Sequence, residues 1–274
     1  MFKRIVVLST LCIFFTPLIS MQSHKQLQKI INTIKSSDHE KIVESSLKSK
    51  KIDFFGYTVF LHYAAAYGRC RVAQLLINYS EIIETDDDIQ IAIEDKCPII
   101  DSRNGYNKIT PLHSASRNGR VEMIQLLCNN GANVNLRDIE GKTALYIASE
   151  AGNTAVVRCL LHMPNIDPTI TSNIHDYAPI HVAAEAGNPE IVQLLLEHTP
   201  NLINTTTDYG DTALHLACEY EKTDTAKIII AAPGVNINIT NQAKWRPLDH
   251  AHNQYNTDLI PLLLAKGAKT KKFK

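Results

Sequence analysis

Histidine is the residue type whose number and placement most invite a chemical interpretation of this sequence. Eleven histidines occur in 274 residues. Four of them each follow Leu or Ile and stand two residues before Ala, namely His62, His113, His181 and His215. A neutral imidazole can act as a general base or bind a metal ion near physiological pH. Whether these four histidines can do either depends on how far apart the fold holds them.

The other residues that could do chemistry form no catalytic or metal-binding pattern. Six cysteines are scattered without the C-x-x-C spacing of zinc ribbons and dithiol sites. Cys128 and Cys159 fall beside Leu-Leu pairs and Cys218 follows Ala217, which favours small buried hydrophobic residues. The glycine-rich phosphate loops, the nucleophile elbow and the His-Glu-x-x-His helix do not occur in the sequence. We therefore expect no enzymatic activity, no cofactor and no bound metal.

The balance of charged residues argues against some classes of binding partner. With 45% hydrophobic and 20% charged residues, the chain can bury a sizeable core. Lys and Arg together number 28, as do Asp and Glu, so the formal net charge is zero. Such a chain has no overall electrostatic attraction to nucleic acid or to anionic membranes. We expect no nucleic-acid partner and no small-molecule substrate.

The stretch from Thr110 to Asn135 predicts two short helices joined by a tight turn. Thr110 is a residue type that caps helix N-termini, and Pro111 follows at the first helical position, where its missing N–H costs nothing. Asn118-Gly119 ends the first helix, and apolar residues at helical spacing run from Val121 to Leu127. Neither helix reaches the roughly 12 residues that an isolated helix needs, so neighbouring segments must stabilise the pair.

The same pattern recurs along the chain every 33 to 35 residues. After Thr110 it opens again at Thr143, Ala178, Thr212 and Arg246, and Leu61-His62-Tyr63-Ala64 carries a plainer version. The sequence resembles the ankyrin repeat, which has a 33-residue period and a T-P-L-H-x-A signature. Several matches in register cover nearly all of the chain after its N-terminal segment.

The resemblance implies an all-α ankyrin-repeat solenoid of stacked helix-turn-helix units with short hairpin loops. The repeats would span 55–270, in units starting near residues 58, 110, 143, 178, 212 and 246. Equivalent histidines would then lie about 10 Å apart, too far to share a metal ion that binds nitrogen near 2 Å. Tyr146 and Asp249 fill the same position in other units. A catalytic role that required histidine at this position in every unit would not allow these replacements. In the family this histidine bonds between neighbouring turns, and we expect that structural role here.

The family's usual binding surface predicts where a partner would bind. Ankyrin proteins usually meet their partners at the hairpin tips and the exposed face of the first helices, which correspond to the positions flanking the signature. The candidate partner-binding residues are Arg117, Glu140, Lys142, His175, Tyr177, Tyr209, Asp211, Tyr220 and Trp245. Tyr177, Tyr209 and Trp245 would form a row along adjacent tips, with Tyr220 nearby. Tyr and Trp are enriched at interface hot spots, but each ring could equally pack on its own hairpin.

The N-terminal segment differs from the rest of the chain. Lys3 and Arg4 precede an apolar run from Ile5 to Phe15, a secretory signal pattern, and the run is shorter than the roughly 20 residues that span a bilayer. We expect a signal peptide over 1–20 and a secreted or periplasmic protein, and the alternative is an uncleaved leader that anchors the chain in a membrane. Residues 24–50 predict a degenerate N-terminal cap repeat, because terminal repeats carry a polar outer face.

Three further features modify the regular pattern. An acidic insertion near 80–108 could recruit a basic partner, or it could be an ordinary solvated loop. Residues 266–274 form a basic tail that we interpret as a solubilising cap. Asn188-Pro189 predicts an N-cap followed by an N1 proline. We expect Lys222 at the usual place of glycine, and we expect Pro261 to kink the last helix.

These observations predict a monomeric, non-enzymatic protein-binding module. The leader and a composition rich in Ile, Lys and Asn lead to the hypothesis of an exported protein of a host-associated bacterium that binds a host protein. The alternative is a periplasmic or membrane-tethered scaffold, or a regulator of a bacterial enzyme.

Overall fold

The computed structural model describes residues 54–83, 99–103 and 106–269. The predicted signal peptide 1–20, the cap repeat 24–50, most of the acidic insertion 80–108 and residues 270–274 of the basic tail lie outside the described residues. The described helices are α1 (Phe54–Tyr67), α2 (Cys70–Ile83), α3 (Pro111–Arg117), α4 (Val121–Asn129), α5 (Ala144–Glu150), α6 (Thr154–Leu161), α7 (Pro179–Ala186), α8 (Pro189–His198), α9 (Ala213–Glu219), α10 (Thr223–Ala231), α11 (Pro247–Asn253) and α12 (Leu259–Ala265).

Short 3-10 helices span Ile99–Asp101 and Pro200–Asn204. Within the described ranges no β-strand forms, and Thr206 and Thr212 make an isolated antiparallel bridge. The all-α prediction is confirmed. None of the helices in these ranges has the length and apolar character needed to cross a bilayer.

Consecutive helices form six pairs, which we number repeat 1 (α1 and α2) to repeat 6 (α11 and α12). The first helix of each repeat packs against the first helix of the next, and the second helices pack in the same order. A single hydrophobic core runs through all six repeats. Leu112, Leu145, Ile180, Leu214 and Leu248 occupy its equivalent positions and are buried. The predicted stacking in series is confirmed.

Local interactions explain where the first helices begin and end. In repeat 2 the backbone N–H of His113 donates to Thr110 Oγ1, so the hydroxyl caps α3. Pro111, Pro179 and Pro247 each stand at the first helical position of their helices, where no N–H is needed. Gly119 follows α3 with φ +68°, a left-handed conformation that glycine adopts without steric cost.

Several local predictions were wrong at individual residues. Thr58 lies inside α1 and begins no helix, so the first unit starts earlier than residue 58. Asn188 and Pro189 stand at the N-cap and the first position of α8 as predicted, but the Asn188 side chain makes no capping bond and instead approaches the carbonyl of Ser149 at 3.5 Å. The left-handed residue of repeat 5 is Glu221 (φ +55°), and Lys222 is the next helix's N-cap.

Pro261 does not interrupt a helix as predicted. Helix α12 begins at Leu259, so Pro261 is its third residue. The first four N–H groups of an α-helix have no intrahelical acceptor, so proline removes no backbone hydrogen bond there. A kink at Pro261 is therefore not required.

Candidate protein-binding face

The four histidines of the signature join one repeat to the next. The backbone N–H of Thr110 donates to His113 Nδ1 at 3.1 Å, and His113 Nε2 lies 3.0 Å from the carbonyl of Lys142. A backbone N–H can only donate, so Nδ1 must accept and the proton must be on Nε2, which donates to the carbonyl. His181 and His215 repeat this arrangement, with the carbonyls of Thr205 and Trp245 as acceptors.

Burial keeps these imidazoles neutral. Desolvation lowers the pKa of His62 and of His215 to about 4, and it also lowers the pKa of His113 and of His181. His62 donates through Nε2 to the carbonyl of Ser102, but its Nδ1 is buried without a hydrogen-bond partner. These geometries describe structural histidines whose second nitrogen is committed to a carbonyl.

Burial gives Cys128, Cys159 and Cys218 little thiolate character, because it raises the pKa of each thiol. Cys218 is buried, and Cys70, Cys128 and Cys159 are half-buried. Burial raises the pKa of Cys128 and of Cys218 to about 12, so both remain thiols at neutral pH. Within residues 54–83, 99–103 and 106–269, no three His, Cys, Asp or Glu side chains are grouped closely enough to hold a metal ion.

Backbone hydrogen bonds join neighbouring hairpin tips into one edge. The N–H of Ile139 donates to Asn107 O at 3.0 Å, and the N–H of Asn173 donates to Glu140 O at 2.7 Å. The next two links are Asp208 N–H to His175 O at 3.1 Å and Gln242 N–H to Tyr209 O at 2.9 Å. We call this row of connected tips, residues 106–109, 138–142, 172–177, 207–211 and 241–245, the tip edge.

The predicted aromatic row is continuous only in part, because the ring of His175 links Tyr177, at 6.5 Å, to Tyr209, whereas Trp245 contacts His250. Tyr209 lies against the ring of His175, with ring centroids 4.7 Å apart. Tyr177 is half-buried and meets His181 edge-on at 5.9 Å. Trp245 is also half-buried and lies 5.0 Å from the ring of His250. Tyr209 therefore stands at the outer edge, while Tyr177 and Trp245 pack back onto the first helices.

Two exposed residues of the tip edge were missed in the sequence. Tyr106 is 86% exposed, and Ile174, at 52%, is about as exposed as Tyr209 at 48%. The tip of repeat 4 closes with a bond from Ser172 N–H to Tyr177 O, one residue wider than the Asp138 N–H to Lys142 O closure of repeat 3. The 35-residue interval between Thr143 and Ala178 was the available signal for this wider tip.

Two predicted residues of repeat 3, Glu140 and Lys142, form an ion pair. The Lys142 ammonium lies 3.0 Å from Glu140 Oε2 and 3.0 Å from Glu150 Oε1, and 5.3 Å from the centroid of the Tyr146 ring. Desolvation lowers the pKa of Lys142, but the hydrogen bonds that its ammonium donates to Glu150 and Glu140 outweigh this effect and the net shift of the pKa is upward. Arg117 is exposed at the end of α3 in the preceding repeat.

Repeats 4 and 5 gather carboxylates and aromatic rings at the equivalent place. Burial and the charge of Glu219 raise the pKa of Glu185, and the nearby hydroxyl of Tyr220 opposes this shift. Burial, followed by the charge of Glu185, raises the pKa of Tyr177. Asp211 accepts a 2.7 Å bond from Asn241 Nδ2. We call the surface of Glu150, Glu185, Glu219, Tyr177 and Tyr220 the carboxylate face.

A sequence model of a known protein family matches this chain. The model described as "Ankyrin repeats (3 copies)" matches residues 87–172 and 180–273, more than half of the chain. The chain belongs to the ankyrin repeat family. Ankyrin repeats are protein–protein interaction modules, and domains built from them are typically non-enzymatic.

Two proteins of similar sequence and one solved structure were compared with the chain. The chain is 30% identical over 171 residues to the chicken nuclear factor NF-kappa-B p105 subunit, and 28% identical over 218 residues to human transient receptor potential cation channel subfamily A member 1. The matches cover 62% and 77% of this chain but only 17% and 18% of those proteins. The crystal structure of the human ASB11 ankyrin repeat domain superposes with a TM-score of 0.62 at 29% identity, over 77% of this chain and 85% of that one.

Proposed function

We propose that this chain is an exported ankyrin-repeat protein that binds a partner protein, without catalysing a reaction, through its hairpin tips and the exposed face of its first helices. The observation that carries the proposal is the tip edge. Ile174 and Tyr209 expose about half of their surface there. Apolar side chains held at a solvent-facing edge favour contact with another macromolecule.

The tip edge is also preorganised for binding. Each tip bonds to the next through its backbone, so the exposed side chains are carried on a connected scaffold. Little conformational freedom is then lost when a partner binds, which favours affinity. Tyr209 adds a large ring with few rotatable bonds, the kind of residue that is enriched at interface hot spots.

The test of this surface uses paired alanine variants. Affinity capture or proximity labelling with the mature chain as bait first supplies the partner. We expect the variant Ile174→Ala with Tyr209→Ala to weaken partner binding at least about tenfold, as loss of two hot-spot side chains does. Leu264→Ala serves as the matched control, because Leu264 is exposed on a second helix. Unchanged affinity in the folded double variant would reject the tip edge as the binding surface.

Export is the second part of the proposal and needs its own experiment. It is supported by Lys3 and Arg4 ahead of the apolar run from Ile5 to Phe15. N-terminal sequencing of the exported protein should find a chain that begins after the leader. An intact Met1 would favour the membrane-tethered scaffold instead. If the partner is a host protein, the chain should capture it from an extract of host cells. If the chain instead regulates a bacterial enzyme, it should copurify with that enzyme from the cells that produce it.

A further inference from the structure

Repeat 3 already holds a cation on the carboxylate face. The ammonium of Lys142 is placed between Glu140 and Glu150 and near the ring of Tyr146. The Lys142 side chain is only 18% exposed, so its charge is partly removed from water and is compensated by the carboxylates. The geometry of this face can therefore bind a partly buried ammonium.

Repeats 4 and 5 keep one of the two acceptors of repeat 3, the glutamate equivalent to Glu150, without a lysine at the position of Lys142. Glu150, Glu185 and Glu219 each stand four residues after the signature position filled by Tyr146, His181 and His215. The residue equivalent to Lys142 is Tyr177 in repeat 4 and Asp211 in repeat 5.

Lys222 and His250 are neighbours of these two glutamates. Lys222 lowers the pKa of Glu185, but burial and the charge of Glu219 outweigh it. His250 Nδ1 is 3.9 Å from Glu219 Oε2, beyond hydrogen-bond distance. Glu185 and Glu219 therefore repel each other across neighbouring repeats.

Aromatic rings line the same surface. Tyr220 is 45% exposed beside Glu185. Trp245 packs on His250, which faces Glu219. Aromatic faces attract ammonium and guanidinium groups, and guanidinium also stacks on them. An apolar partner segment would contact the rings but would bury the carboxylates unpaired, at a cost in free energy.

We propose that the carboxylate face of repeats 4 and 5 binds a Lys- or Arg-bearing segment of the partner protein. This inference rests on the proposed function, because it names the partner chemistry for part of the same surface. One cation would bind Glu185 beside Tyr177 and Tyr220, and a second would bind Glu219 near Trp245. Neighbouring first helices lie about 8–10 Å apart. A polyproline II segment rises about 3.1 Å per residue with three residues per turn, so residues three apart share one face. The two cations would therefore stand three residues apart in the segment.

Trp245 provides a direct readout, because it is the only tryptophan in the sequence and lies beside this surface. The probe is the peptide Gly-Arg-Ser-Ser-Arg-Gly, and the control peptide is Gly-Gln-Ser-Ser-Gln-Gly. We expect a saturable change in Trp245 emission with the arginine peptide, weakened by added salt because the pairing is electrostatic. The glutamine peptide should leave the emission unchanged. This comparison needs no variant of the protein.

Charge-removing variants locate the effect. Glu185→Gln with Glu219→Gln should weaken arginine-peptide binding about tenfold, since two charge-assisted contacts are lost. Glu122→Gln with Glu197→Gln removes the same charge from exposed positions on second helices, and its affinity should stay within about twofold of the unmodified protein. Thermal unfolding of both variants verifies the fold.

The outcomes separate this inference from the proposed function. No binding of the arginine peptide, equal binding of the glutamine peptide or equal weakening by the control variant would overturn it. If Ile174→Ala with Tyr209→Ala weakens partner binding and Glu185→Gln with Glu219→Gln does not, the binding edge stands and the basic segment is rejected. If neither variant weakens partner binding, the proposed function itself fails.

Discussion

Acidification should destabilise the stack through its buried histidines. Burial lowers the pKa of His62 and of His215 to about 4, whereas an exposed histidine in the unfolded chain titrates near 6.5. The unfolded chain therefore binds protons first as the pH falls, so stability is complete above about 6.5 and declines toward about 4. Protonation of Nδ1 would also remove the acceptor for the N-cap N–H, as at Thr212.

The size of the effect follows from proton linkage. For a histidine with pKa values of about 4 folded and 6.5 unfolded, the free energy of unfolding falls by about 2 kcal/mol between neutral pH and pH 5. His62 and His215 together would remove about 4 kcal/mol, a large part of the 5–15 kcal/mol typical of folded domains. Asp101 and Glu185, whose pKa values burial raises, act in the opposite direction at lower pH.

Urea unfolding between pH 8 and pH 5 measures this decline, and one substitution isolates its cause. His215→Asn keeps an oxygen acceptor for the N-cap and removes the titration, as Asp249 does when it accepts from Arg246 N–H at 2.8 Å. It should cost about 1–2 kcal/mol at pH 8 and reduce the pH-dependent loss by about 2 kcal/mol. His198→Asn, at an exposed position, is the control. An unfolding free energy that is flat from pH 7 to pH 5, or an unchanged slope in His215→Asn, would refute the reasoning.

Two further predictions concern contacts between repeats. Gly141 (φ +79°) would place a Cβ 2.6 Å from the backbone nitrogen of Asn173, whereas Gly131 (φ +88°) has open space. Both alanine variants should lose about 1–2 kcal/mol of unfolding free energy, because alanine is strained in the left-handed backbone conformation. Chemical unfolding should show a clearly larger loss for Gly141→Ala, whose Cβ would also meet the next tip. Equal losses in the two variants would contradict the close packing of adjacent tips. Asn153 Nδ2 donates to two carbonyls at the end of α3, at 2.8 and 3.0 Å. Asn153→Ala should therefore cost about 1–3 kcal/mol of unfolding free energy. Asn130→Ala is the control, because the Asn130 amide donates to a carbonyl of its own repeat. A smaller loss in Asn153→Ala than in Asn130→Ala would argue against a stabilising bond between repeats.

The fold could be predicted because the residues of the repeat signature are those that begin and end short helices. Thr110, Pro111 and Gly119 mark a cap, a first turn and a left-handed exit, and the structure places each of them there. The interpretation of His113 as a link between turns is confirmed by its bond to the next repeat. These features depend on neighbours in sequence or on equivalent positions one repeat away, which the period makes visible.

Details set by packing between repeats could not be predicted in the same way. Asn188 has the residue type and position of an N-cap, but its side chain turns to the preceding repeat. The helix that contains Pro261 begins later than the apolar pattern indicated. Such choices depend on distances between side chains and carbonyls about 35 residues away, for which the sequence offers no local signal.

The arrangement of side chains on the candidate surface was not visible in the sequence. Tyr209 reaches the outer edge, whereas Trp245 packs back on His250. The wide tip of repeat 4 was visible in the sequence as a longer interval between repeats. The sequence did not show that Ile174 would be the residue exposed at this tip. The cation site of Lys142 requires the positions of Glu140 and Glu150 in three dimensions.

Hydrogen–deuterium exchange of the chain with and without its captured partner tests the central claim most directly. We predict slowed exchange at the tip edge and in the first helices α7 and α9, with the second helices α8 and α10 unchanged. Protection confined to the second helices, with the tip edge unaffected, would contradict the account.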